Sequence, residues 1–280
     1  MKLLSWNIQW CRGMDGRVDP GRIAHEARRI ADPDVICLQE VAQGFADLAG
    51  SSGEDQPALL AREFEGYEAH YAFAVDLPGS PARARFGNLI LSRLPVRQVF
   101  RHSLPWPADP GVASMPRVAL EAVIETSFGP VRVLTVHLEY YSARQRAAQV
   151  ERLRELHEEA CAHARAEPPA SAAGPFRPLP RPRSAIVCGD FNFAPDDPLH
   201  ARLQAPFTSD TPRLLDAWPL ANPGAPHSPT FRLYDREYRG APYCCDFVFV
   251  TEDLAPRIAS ARVYADTQAS DHQPVAVNFA

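Results

Sequence analysis

The chain has 280 residues, 46% of them hydrophobic and 22% charged, and a formal net charge of −5. That length and apolar content suit one large domain, residues 1–280, around a sizeable core. No run of about 18 apolar residues is present, which excludes a membrane-spanning helix, and an acidic balance without a dense basic stretch disfavours a long polyanionic partner. The N-terminus enters a strand-like run with no apolar signal region ahead of it, so a cytoplasmic, monomeric protein is expected. The six cysteines include no C-x-x-C pair; buried, reduced thiols are expected rather than zinc or a disulfide framework.

In chain order, Lys2 to Trp6 reads as a strand that ends at Asn7. Ile23, Ala27 and Ile30 recur at helical spacing over 20–31, and Asp32-Pro33 closes that helix. Asp34 to Leu38 is a second apolar run, ending at Gln39-Glu40. A weaker helix over 57–65 precedes strands at Tyr67 to Val75 and Leu89 to Ser92. A proline-rich loop, 104–116, leads to a hairpin of 117–126 and 131–137 about Phe128-Gly129-Pro130, its second strand ending at His137. Ser142 and Gln145 have capping-box spacing before a helix over 143–165. Ala147, Val150, Leu153, Cys161 and Ala164 form its apolar stripe, and its arginines and glutamates read as its solvated side. The Pro/Ala/Arg-rich stretch 167–183 and the stretch 218–229 read as surface loops. Between them, Ala185 to Cys188 is a buried strand running into Gly189-Asp190-Phe191-Asn192. Cys245 to Val250 is another strand, and Ser270-Asp271-His272 precede a last one, Pro274 to Phe279.

The strand ends carry the chemistry. Residues two apart on an extended segment point the same way, so Asp190 and Asn192 are expected to converge. Ligands of layered β and α/β proteins sit where strand ends open out. Asn7, Glu40, His137, Asp190, Asn192, Asp271 and His272 together form a set suited to a hard cation and a phosphoryl group. Carboxylates and carboxamides hold Mg²⁺ or Mn²⁺, and imidazoles handle protons or developing charge.

In these segments the chain resembles the endonuclease/exonuclease/phosphatase superfamily, which includes DNase I, the exonuclease III type of abasic-site endonuclease, inositol polyphosphate 5-phosphatases and neutral sphingomyelinases. The resemblance rests on Ser5-Trp6-Asn7, Leu38-Gln39-Glu40, His137-Leu138, Gly189-Asp190-Phe191-Asn192, Asp246-Phe247-Val248 and Ser270-Asp271-His272, in the family's order and across nearly the whole chain. It implies an α+β fold, a four-layered sandwich of two mixed β-sheets flanked by helices. It also implies a divalent-metal-dependent phosphoester hydrolase using one ion, or two, of Mg²⁺ or Mn²⁺. Glu40 is then the metal ligand, Asn7 binds the ion or orients Glu40, and Asp271 reaches it through water. Asp190, held by Asn192, orients the attacking water. His272, oriented by Asp246, contacts the scissile phosphate. His137 stabilises the phosphate or protonates the leaving oxygen.

The resemblance is incomplete. Val136 stands where members often have Asn or Thr, and Cys244 where many have Arg. No acid lies in 85–92 to support His137, which leaves Asn88 as its expected partner. The expected reaction is that of a phosphodiesterase or nuclease, with nucleic acid among the candidate substrates. The alternatives are a phosphomonoesterase acting on a sugar, inositol or nucleotide phosphate, and an inactive binding module on the same fold. Trp10, Arg117, Tyr140, Tyr141, Arg232 and Tyr238 are candidate substrate contacts, with Arg239 in the arginine-bearing loop 231–242.

Overall fold

The computed structural model describes residues 1–79, 82–167, 173–234 and 240–280. Its elements run β1 (Lys2–Asn7), α1 (Pro20–Ala31), β2 (Val35–Gln43), α2 (Gln56–Glu63), β3 (Glu68–Leu77), β4 (Ala84–Ser92), β5 (Val96–Ser103), β6 (Val118–Thr126), β7 (Gly129–His137) and α3 (Ala143–Arg165). They continue with β8 (Ala185–Asp190), α4 (Pro198–Gln204), β9 (Leu214–Asp216), α5 (Ala217–Ala221), β10 (Asp246–Thr251), β11 (Ile258–Val263) and β12 (Val275–Phe279). Among the described residues the strands form two six-stranded sheets, ordered β11-β12-β1-β2-β4-β3 and β5-β6-β7-β8-β10-β9. Both are mixed: β1 and β2 run parallel, as do β7 and β8, while the other pairings are antiparallel.

Strand alternation explains the continuous apolar runs. Leu3, Cys37, Val133, Ile186 and Val248 face inward between the sheets. Their neighbours face outward: Leu4, Ile36 and Leu38 pack on α1 and α2 through Ile23, Ala27 and Leu60. On the other sheet Leu134, Val187 and Phe249 pack beside Val150 and Leu153 of α3 and Leu203 of α4. The result is four layers, helix–sheet–sheet–helix, in which central strands are buried on both faces and have no polar side to display. The expected α+β sandwich is therefore the fold.

Several local expectations change. β2 does not stop at Glu40. It runs on to Gln43 through a bulge between Leu38 and Val41, with Glu40 in the left-handed region at φ 58°. Trp218 begins no loop but lies in α5. Ala164 is exposed, whereas Arg154, assigned to the solvated side of α3, is buried and donates to the carbonyls of Arg202, Leu203, Ala205 and Pro206. In the stretch 167–183, Arg181 docks on the fully buried Glu121, with Nη1 2.5 Å from Oε1. All six cysteines are buried and unpaired, and no described helix is long and apolar enough to cross a membrane.

Beneath α3, a second buried guanidinium, that of Arg132, is hydrogen-bonded to an imidazole. Arg132 Nη2 donates to His157 Nδ1 at 2.5 Å, and His157 Nε2 donates to the Pro212 carbonyl at 2.9 Å. Both ring nitrogens are committed, so the ring is neutral. Burial, then the Arg132 charge, holds its pKa at about 4 against an ordinary 6.5. The sign follows: the unfolded chain takes up the proton first, so the stability this ring contributes is complete above pH 6.5 and is lost as pH falls towards 4. Relative to His157→Gln, the wild type should lose up to about 3 kcal/mol between pH 7 and pH 4, read from urea melts across that range. A pH-independent difference would remove this account.

Candidate active site

The topology brings the polar strand ends to one edge of the sandwich. The parallel pair β7/β8 sets His137 opposite Asp190, and antiparallel β10 sets Asp246 on the other side of Asp190. β8 can lie this close to β7 because residue 189 is glycine. At its φ of 137° a Cβ would stand 1.9 Å from the Val136 carbonyl oxygen. From the other sheet come Asn7, at the end of β1, and Glu40, on the β2 bulge. Ser270 Oγ donates to the Asn7 carbonyl at 2.8 Å and Trp6 Nε1 to the His272 carbonyl at 3.0 Å, fastening the 270–272 segment beside them.

One carboxamide joins the halves. Asn7 Nδ2 donates to Glu40 Oε1 and to Asp190 Oδ2, each at 3.0 Å, while Asn7 Oδ1 accepts from Gln9 N at 3.1 Å. With its oxygen engaged there, Asn7 presents N–H groups to the carboxylates, the arrangement of an orienting residue. Asp190 Oδ2 also lies 3.5 Å from His137 Nε2 and 3.7 Å from His272 Nε2. The hydrogen bond from Asn192 to Asp190 comes from its main chain and not from its side chain. Asn192 leaves the strand at φ 53°, donates its main-chain N–H to Asp190 Oδ1 at 2.9 Å and sends its side chain to the Leu138 carbonyl. The two-residue alternation does not apply once the backbone turns. Asn88 does not support His137 either; it bonds the Val118 carbonyl at 2.9 Å.

His272 Nδ1 lies 2.9 Å from Asp246 Oδ2, and Phe231 stacks on its ring with centroids 4.5 Å apart. Asp246 Oδ1 is buried without a hydrogen-bond partner among the described residues, so this carboxylate leans on the imidazole. The two histidines are polarised in opposite senses. Burial alone would lower the pKa of His272, but the Asp246 and Asp190 charges outweigh it and raise it well above the usual value. Burial lowers His137 well below the usual value, and the positive charges of Arg117 and His272 add to that. Burial pushes Asp190 up to about 6, with help from Asp246 and against His272 and its own hydrogen bonds. Glu40 is raised by burial as well, more than Asn7, His272 and Arg117 offset.

Burial raises the carboxyls of buried Asp190 and half-buried Glu40, so that a cation beside them would favour their charged forms. Glu40 and Asp190, with Asp271 lining the same cavity, offer hard oxygen donors. That donor set fits Mg²⁺ or Mn²⁺. A further cluster, His200, Asp216 and His227, has ligand-like proximity but is satisfied by hydrogen bonds. Asp216 N–H fixes Gln204 Oε1, so Gln204 Nε2 donates to His200 Nδ1, which leaves the His200 proton on Nε2 for Asp216 Oδ2 at 2.9 Å.

Of the candidate substrate contacts, Arg117 lies in the cavity. It is 7% exposed, its Nε donates to Glu139 Oε2 at 3.2 Å, and its Nη1 is buried without a hydrogen-bond partner among the described residues. Trp10, Tyr140 and Tyr141 also line the cavity. Arg232 is not among the lining residues; its Nη2 donates to Tyr140 Oη at 3.2 Å and its guanidinium sits over the Phe231 and Tyr243 rings. Tyr238 and Arg239 lie outside the described residues. Two features went unread in the sequence. One is buried Glu139, which holds Arg117; its position two residues after His137 was the available signal. The other is an apolar wall built partly from Phe45, Leu48, Phe86 and Met115, which carry no local pattern.

Comparisons with known proteins bear on the family and the fold. The model of the Endonuclease/Exonuclease/phosphatase family matches residues 4–272. Among solved structures, an endonuclease/exonuclease/phosphatase from Beutenbergia cavernae is 27% identical with a TM-score of 0.64, covering 100% of this chain and 71% of that one. A mannosyl-6-phosphatase of Bacteroides thetaiotaomicron (15% identity, TM-score 0.65, 100% and 99% covered) shares the fold. So does truncated Caenorhabditis elegans TDP2 (18%, 0.62, 100% and 97%). No curated protein matches the sequence.

The opposite polarisation of the histidines is measurable. In metal-free protein at pH 8, ¹⁵N-correlated imidazole spectra should show His272 as imidazolium and His137 neutral. Asp246→Asn should return His272 towards neutrality, because the charge that raises its pKa is gone. Two neutral rings in the wild type would contradict the assignment.

Proposed function

Because the chain belongs to the Endonuclease/Exonuclease/phosphatase family, whose members are phosphoester hydrolases, we propose that it hydrolyses phosphodiesters with the help of a hard divalent cation. The carrying observation is the cluster around Asp190 Oδ2, where Asn7, His137 and His272 approach a buried carboxylate from both sheets. Glu40 would hold the cation with Asp271, Asn7 orienting Glu40. When bound, the ion polarises a phosphoryl oxygen and neutralises charge on the leaving oxygen.

The protein's own groups do the rest. Asp190, fixed by the Asn7 side chain and the Asn192 main chain, orients a water and accepts its proton as the water oxygen–phosphorus bond forms and the phosphorus–oxygen bond to the leaving alcohol breaks, the leaving oxygen taking its proton from solvent. His272, an imidazolium on Asp246, donates from Nε2 to a non-bridging phosphate oxygen. Arg117 Nη1 reaches a second such oxygen, its Nε anchored on Glu139. His137 is neutral near pH 7, which suits it to hydrogen bonding and not to protonating the leaving group.

Charge favours the diester. Among the described residues lining the cavity, Arg117 is the one side chain of fixed positive charge. A monoester dianion, of the kind named for the Bacteroides neighbour, calls for several cations around its terminal phosphate, whereas one guanidinium and one imidazolium match a monoanion.

With Mg²⁺ or Mn²⁺, purified protein should cleave bis-p-nitrophenyl phosphate in preference to p-nitrophenyl phosphate, and EDTA should abolish the rate. Asp190→Asn should lower kcat by about 10²–10⁴-fold with the fold intact by circular dichroism. Preference for the monoester would sink the diesterase reading, and EDTA-resistant turnover would sink the metal requirement.

A further inference from the structure

The cavity that holds the catalytic cluster has two chemically different ends. Its volume is about 390 Å³, within reach of a small ligand. Glu40, Asp190, Asp271, His137, His272 and Arg117 gather at the polar end. The rest of the lining includes an apolar set, Trp10, Phe45, Leu48, Val75, Phe86 and Met115, contributed by widely separated parts of the chain, beside Asn192, Tyr140, Tyr141 and Phe231. Leu77 lies on the same wall and is 49% exposed.

The apolar end is organised ahead of any ligand. Phe45 and Phe86 meet edge to face, with centroids 6.2 Å apart. Trp10 is held by a backbone that L-residues avoid: Gln9, Trp10 and Cys11 all have positive φ, at 44°, 42° and 62°. Consecutive left-handed residues are strained and persist only where their surroundings over-determine them. Here the Trp10 carbonyl accepts from Gln56 Nε2 at 2.8 Å, and the indole Nε1 donates to the Ala49 carbonyl at 3.0 Å. The hydrogen bonds that hold the strained turn also keep the Trp10 ring on the cavity wall.

A nucleic-acid strand needs rows of cations along its backbone. This wall, among the described residues, supplies aromatic and aliphatic surface instead. Resting on the reading of the site as a phosphodiesterase, we propose that the cavity takes a small amphiphilic phosphodiester: the phosphate at Arg117 and His272, and an apolar ester group, a medium alkyl chain or an aryl ring, against Trp10, Phe45, Leu48 and Phe86. Two observations carry this, the second of them outside the catalytic set. One is the unpartnered Nη1 of buried Arg117 at the polar end. The other is the hydrogen-bonded strain that places Trp10 at the apolar end.

The test is equilibrium binding, which does not require turnover. O-methyl esters of methyl-, butyl- and hexylphosphonic acid keep a monoanionic phosphonate while the chain grows. Calorimetry in Mg²⁺ should find the hexyl compound about thirty-fold tighter than the methyl one, half on a logarithmic scale of the roughly four-fold per methylene that complete burial gives. Leu77→Asp should erase the chain-length dependence. Leu220→Asp, at an exposed position in α5 away from the cavity, should preserve it. Equal affinity across the series, or an oligonucleotide binding more tightly than the hexyl compound, would overturn the proposal even if diesters are cleaved. A clear chain-length dependence in a protein that cleaves no diester would instead leave the apolar site standing and remove the diesterase reading.

Discussion

The site depends on the Asn7 carboxamide. Its oxygen is held by the main chain two residues on, and its nitrogen is shared between a carboxylate from each sheet. Two carboxylates brought together out of water repel each other and lose hydration; one neutral NH₂ group supplies a hydrogen bond to each and no charge. The deficit appears as the upward titration of Glu40 and Asp190. An arrangement that both converges carboxylates and leaves them short of positive charge is poised for a cation, because the cation supplies what the fold withholds.

The sheets make that convergence possible by geometry. Two parallel pairs, β1/β2 and β7/β8, end at the same edge, and antiparallel β10 and the segment before β12 begin there. His137, Asp190 and Asp246 become neighbours through strand register alone, a relation that a one-residue slip would destroy. Two backbone departures tune it. Gly189 allows β8 to close on β7, and the bulge at Glu40 turns a carboxylate out of a strand that is otherwise largely apolar and buried.

What was legible in the sequence was what is local. Apolar runs ending in Asn7, His137 and Asp190, and the order of six short segments, were enough for the layered α+β fold and for a polar cluster at one edge. What was not legible depends on backbone excursions or on contacts between distant segments. A left-handed residue cannot be read from letters, so β2 appeared to end at Glu40 and Asn192 appeared to share a face with Asp190. Arg154 looked solvated because the carbonyls it serves belong to α4 and the loop after it. The apolar wall was invisible for the same reason: Phe45, Leu48, Phe86 and Met115 come from separate loops and strands and share no period.

The apolar wall and the charged cluster are parts of one electrostatic arrangement. Opposite shifts at His137 and His272 arise because both rings are buried and only His272 has a carboxylate within hydrogen-bond distance of Nδ1, Asp246 at 2.9 Å, whereas Glu40 stands 3.9 Å from His137 Nδ1. In water those differences would be screened; in a cavity closed by apolar surface each charge acts at greater strength. An apolar ester group seated against Trp10 and Phe86 would displace water beside Asp190 and His272 as it binds. The same contacts that select the substrate would then strengthen the field at its phosphate, so that recognition and rate are coupled through a single wall.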